Sequence, residues 1–188
     1  MDELNTLPFV RDGELRHLDA LPYMIRKGCF KNGTPEGLQR ALEWVGTFPA
    51  IEAVPPQAID RVPSLSGIDQ GERFLIGSAL EIVDSSILTG DKRCVTAIGG
   101  FSPELQVALT GKIHCLETAI CAIVDQYDFS HVAGKVRPGL SCDRVIRSIF
   151  GSTAPASRAS VCEGLASYIG SITSSPGGVV LIPWEALL

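Results

Sequence analysis

The chain is poor in the features that announce a function. None of its six cysteines, at 29, 94, 115, 121, 142 and 162, forms a CxxC pair, and no Cys/His cluster has zinc spacing. The histidines, His17, His114 and His131, are scattered and suggest no ligand set. There is no GxSxG nucleophile elbow, no complete GxxxxGK[ST] phosphate loop and no GxGxxG dinucleotide loop. Basic residues are not in excess: 16 Lys and Arg stand against 21 Asp and Glu, for a net charge of -5. Such a chain has no global attraction for nucleic acid, so a nucleic-acid site would need a local basic patch or bound cations. Long apolar runs are also missing. The most apolar stretch, Val107 to Val124, is broken by Gly111, Lys112, His114 and Glu117, whereas a membrane helix needs about 20 mostly apolar residues. Met1-Asp2-Glu3-Leu4 places acids where a secretory signal carries positive charge, so a cytoplasmic location is expected. In a reducing compartment the cysteines are expected to be unbridged.

What is present is an ordinary globular balance, with 45% hydrophobic and 20% charged residues over 188 residues, within the usual size of one domain. No repeat or low-complexity tract divides it. Leu7 to Val10 reads as a short strand and Glu14 to Ile25 as a helix, followed by a turn at Lys31-Asn32-Gly33. Thr34-Pro35 opens a helix with Thr34 as cap and Pro35 at the first helical position. Phe48 to Val54 reads as a strand closed by Pro55-Pro56. Asp69 to Val83 has Leu75, Ile76, Ala79, Leu80 and Val83 at helical spacing. Ser85 to Thr89 reads as an interior strand, Glu104 to Leu109 as a helix, Lys112 to Leu116 as a strand, and Glu117 to Tyr127 and Asp143 to Phe150 as helices. Ser160 and Glu163 suggest a capping box for the last helix, and Val179 to Ile182 a final strand, limited by Pro183 to an edge or end. Helices alternating with short apolar strands indicate an α/β fold with a mostly parallel sheet.

Two segments could carry chemistry: Gly67-Ile68-Asp69-Gln70-Gly71-Glu72, opening a helix, and Ile87-Leu88-Thr89-Gly90-Asp91-Lys92-Arg93, ending a strand. Asp69 and Glu72 share a first helical turn, and Asp91 leaves a strand at its carboxyl end, where open α/β sheets place their ligand crevice. Converging carboxylates suit Mg2+ or Mn2+, which can activate water against a phosphodiester. The same residues also fit plain local roles: Asp69-x-x-Glu72 as a capping box, Asp91 after Gly90 as a turn, and Lys92-Arg93 as solvated charge.

These segments resemble the central motifs of PIN-domain proteins, and Gly111-Lys112-Ile113-His114-Cys115-Leu116-Glu117 resembles the C-terminal part of a proteobacterial PIN-like group. The resemblance covers residues 67–127. It implies one PIN-like domain over residues 1–188, a three-layer α/β/α fold with a central, mostly parallel sheet, and the activity of a metal-dependent endoribonuclease, a hydrolase of the kind found among toxins of toxin–antitoxin pairs. By resemblance Asp91, Asp69 and Glu72 are the catalytic and metal-binding acids, with Mg2+ or Mn2+ as cofactor, and Glu14 matches a further family acid. Arg73, Lys92 and Arg93 are the local cations that would hold an RNA backbone. The partners implied are RNA, an antitoxin-like protein and a second copy of the chain. The sequence departs from the family at its start, where a central strand ending in an essential Asp has no equivalent: Leu7 to Val10 before Asp12 contains Pro8, which cannot donate a ladder hydrogen bond. Either the start is shortened or the strand is lost, and both leave the nuclease weak or inactive. The alternative is a catalytically incomplete PIN-like module that binds a protein or RNA partner.

Overall fold

Short polar side chains set most of the helix starts. Thr34 Oγ1 accepts from the Gly37 amide, Ser102 Oγ from the Leu105 amide, and the carboxylates of Asp69, Asp91, Asp128 and Asp143 accept from amides in the first turns that follow them. The computed structural model describes residues 15–28, 33–176 and 178–182. In chain order these form α1 (Leu21–Arg26), α2 (Pro35–Val45), α3 (Pro56–Asp60), α4 (Gln70–Glu81), β1 (Ile87–Thr89), α5 (Lys92–Ile98), α6 (Pro103–Leu109), β2 (Ile113–Cys115), α7 (Leu116–Gln126), α8 (Phe129–Val136), α9 (Arg144–Phe150) and α10 (Arg158–Thr173). Short 3-10 turns follow at Arg137–Gly139 and Gly178–Val180. The class is mixed α/β, and the sheet among the described residues is two parallel strands in register Ile87↔Ile113, Leu88↔His114 and Thr89↔Cys115. No described helix is long and apolar enough to cross a membrane.

Four elements differ from the sequence reading. The helix expected over Glu14 to Ile25 is confined to α1, because Pro22 lacks an amide hydrogen and its ring obstructs a preceding helical turn; His17 instead bridges to Ala50. That bridge is all that forms of the strand expected over Phe48 to Val54, which Pro49 interrupts. The expected interior strand is an outer one among the described residues: β1 pairs with β2 alone, Ile87 is buried, and Leu88 is 43% exposed. The final strand is reduced to a 3-10 turn and one bridge from Leu181 to Ile113. The cap of α10 is also shifted. The Val161 amide donates to the Ser157 carbonyl and the Ser160 amide to Ser157 Oγ, so the helix starts before the proposed Ser160–Glu163 box. Three helices, α3, α5 and α8, form where the sequence reading assigns no element.

Two compact units divide the chain, one formed by residues 1–52 and 122–164 and the other by residues 53–121 and 165–187. The second contains the sheet. Its core gathers Ile76 from α4, Ile87 from β1, Val95 and Ile98 from α5, Leu109 from α6, Ile113 from β2 and Leu181. Burying such side chains stabilises by about 1.5–3 kcal/mol each before chain entropy is counted. α3 and α4 meet closely: a Cβ on Gly77 would lie 3.1 Å from the Ala58 carbonyl oxygen, so the backbones approach at a position without a side chain. In the other unit Ile25, Val45, Val132, Ile146 and Phe150 are buried, and the rings of Phe129 and Phe150 stack at 6.4 Å.

Candidate functional site: an acidic sheet edge held by its own donors

The register of the parallel pair aligns two acids. Thr89 lies opposite Cys115, and two residues beyond each come Asp91 and Glu117, both entering helices at the carboxyl edge of the sheet. The loop before α4 brings a second pair of acids there. Gly67 has φ +98°, a conformation that side chains rarely adopt, and a Cβ on it would sit 3.2 Å from the Arg93 carbonyl oxygen. This approach lays the start of α4 against α5 and places Asp69 and Glu72 within electrostatic reach of Asp91.

Local partners occupy each of these carboxylates. Asp69 and Glu72 form a reciprocal capping box: the Glu72 amide donates to Asp69 Oδ1 and the Asp69 amide to Glu72 Oε2, both at 2.8 Å. Glu72 titrates above the ordinary glutamate range, first because it is partly buried and further because Asp69 and Asp91 repel its charge. Asp91 caps α5 through the Arg93 amide and is clasped by the Arg93 guanidinium, Nη2 to Oδ2 at 2.6 Å and Nε to Oδ1 at 3.2 Å. The guanidinium and the cap hold the Asp91 carboxyl below its usual range. Cys94 is buried beside them, and burial, together with the charges of Glu72, Asp91 and Asp69, pushes its thiol up to about 12. Asp69, Glu72 and Asp91, the described acids among those named from sequence, therefore act on one thiol, which stays protonated and unreactive at neutral pH.

The acid that sequence reasoning missed is Glu117. It is fully buried, and Lys92 Nζ lies 2.8 Å from its Oε1. The contact falls outside hydrogen-bond angles and is a charge pair; Oε2 has no hydrogen-bond partner among the described residues. The signal that could have found it is positional: an acid as far beyond its strand as Asp91 is beyond β1. Arg73 serves the fold, with Nε donating to the Val62 carbonyl and Nη2 to the Ile59 carbonyl, which closes the carboxyl end of α3. Of the three cations proposed for RNA, Arg93 is the most exposed, yet it is paired with Asp91, and Lys92 is turned to Glu117. Glu14 and Asp12 lie outside the described residues. On β2 itself, burial drops the His114 imidazole to about 4, so it is neutral at physiological pH.

The donor set does not fit a divalent cation in this arrangement. Asp91 is closed by a guanidinium, Glu117 by an ammonium, and Asp69 and Glu72 by each other's amides. Among the described residues, no group of three or more His, Cys, Asp or Glu is disposed to ligate one metal ion. What the edge can do chemically is pair two of its four acids with its own cations and present short polar helix starts beside a strand that, among the described residues, is paired on one side. Cys94, Cys115 and Cys162 are free thiols. Comparison with protein-family models, with curated proteins and with solved structures gives no match to this chain.

Proposed function

We propose that the chain is a catalytically incomplete PIN-like module that acts by binding a partner instead of cleaving RNA. The observation that carries this reading is the occupation of every carboxylate at the sheet edge by the chain's own amides and cations. A nuclease of the metal-dependent type needs those oxygens free to fix an ion and a water. Here Lys92 and Arg93, the residues that would otherwise face phosphate, pair with two of the four acids, Glu117 and Asp91. The open side of β1, with Leu88 half-exposed on it, suits an extended apolar segment of a protein partner, because an unpaired strand edge offers a ready row of main-chain donors and acceptors. The three-layer PIN arrangement and a cytoplasmic location belong to the same proposal.

The test is cleavage of a structured RNA with Mn2+, comparing the chain with Asp91→Asn. The expected result is no cleavage above background in either protein. Robust cleavage that Asp91→Asn abolishes would restore the endoribonuclease reading, with an acid from the N-terminal residues, such as Glu14 or Asp12, completing the site.

A further inference from the structure

The unit formed by residues 1–52 and 122–164 contains a cleft of about 540 Å3, a volume typical of small-molecule sites. Its walls come from α1, α2 and the stretch from Lys135 to Cys142. Leu21, Ile25, Leu38 and the indole of Trp44 make it mostly apolar. Among the described residues, the only charged ones lining it are cations, Arg40 and Lys135, although the chain carries 21 acids against 16 bases. No ion pair joins either cation to a described acid. A second observation concerns Trp44. Its ring is held edge-on against Phe48, at 4.8 Å between centroids and 76° between planes, and its Nε1 is buried with no hydrogen-bond partner among the described residues. The N–H is therefore turned away from solvent, and Trp44 serves the cleft as part of its apolar lining.

We infer that this cleft is a binding site for a small amphiphilic anion, an apolar body ending in a carboxylate. The apolar walls take the body, and Arg40 and Lys135 attract the carboxylate. The site is independent of the acidic sheet edge and of the function proposed for it.

The experiment uses the full chain carrying Trp184→Phe, which leaves Trp44 as its single tryptophan. Octanoate, octanol and octylamine are titrated at neutral pH while Trp44 emission is followed, with calorimetry as an independent readout. Octanoate is expected to bind saturably, and Arg40→Gln with Lys135→Gln to weaken it about tenfold or more, which is 1.4 kcal/mol or more of lost charge-assisted contact. Ala41→Phe, which fills the wall of the cleft, is expected to abolish binding. Because Arg40 and Lys135 are exposed, their variants keep the test valid if Ala41→Phe fails to fold. Octanol or octylamine binding as tightly as octanoate would overturn anion recognition. An absence of saturable binding would overturn the site, and self-association tracking the emission change would make the cleft an interface between copies instead.

Discussion

Lys92→Met is expected to destabilise the chain by about 3 kcal/mol, the lower end of the range for removing one partner of a buried ion pair. The carboxylate of Glu117 is wholly out of water, and the nearby Lys92 ammonium offsets its charge at 2.8 Å. Methionine keeps the length and packing of the lysine stem but leaves a buried negative charge uncompensated. The Lys92 side chain is 25% exposed, so water reaches the cation, which places the loss at the low end of that range. The double variant Lys92→Met, Glu117→Leu removes both charges and is expected to lie within about 1 kcal/mol of the parent, since apolar replacement of a buried pair is commonly neutral. Urea denaturation at pH 7 of the parent, both single variants and the double variant gives the coupling directly. A Lys92→Met cost under about 0.5 kcal/mol, the size of an ordinary surface change, would show that Glu117 is solvated or paired elsewhere.

His114 should make the fold acid-sensitive over an unusually high range. Burial lowers its imidazole from 6.5 to about 4, so between those values the unfolded chain binds a proton that the folded chain refuses. The stabilisation is fully present above pH 6.5 and is lost as the pH falls towards 4. That span corresponds to roughly 3 kcal/mol at about 1.4 kcal/mol per pH unit. Glu72 acts in the opposite direction: its carboxyl is raised by burial, so its ionisation costs stability as the pH rises through its folded value. Asp91, held low by Arg93, adds stability above its unfolded value that is lost as the pH falls through its folded one. Asp91 is shifted away from the interval between pH 6.5 and 5, and comparison with His114→Gln separates the imidazole's part of the slope from the opposing part of Glu72. The check is chemical denaturation from pH 7 to 4.5 for the parent and His114→Gln. The parent should lose most of those roughly 3 kcal/mol and the variant much less. Equal slopes would mean that His114 is protonated in the fold.

The helices at Thr34-Pro35, Asp69 and Asp143 and the two short strands were legible because their signals are local. A capping side chain, a proline at the first turn and an apolar stripe act within a few residues. The elements that were misread depend on distant partners. His17 leaves the expected helix to pair with Ala50, and Leu181 meets Ile113 through a single bridge. Periodicity carries no information about either partner. The site divides the same way. Asp69, Glu72 and Asp91 were visible as short motifs, and the structure brings their charges onto Cys94. Their occupancy was not visible: that Lys92 turns to Glu117, and that Arg73 closes α3, follows from packing between segments far apart in the chain.

Under the proposed function the acidic edge needs no divalent ion, and thermal melting with and without millimolar Mn2+ is the direct test. An ion that binds the folded chain and not the unfolded one must raise the melting temperature, and binding at Asp91 or at Glu117 Oε1 would have to displace Arg93 or Lys92. The expected result is the same melting temperature with and without Mn2+, both for the parent and for Asp91→Asn. A rise in the parent that Asp91→Asn removes would contradict it, and would show that Asp91 exchanges its guanidinium for a metal.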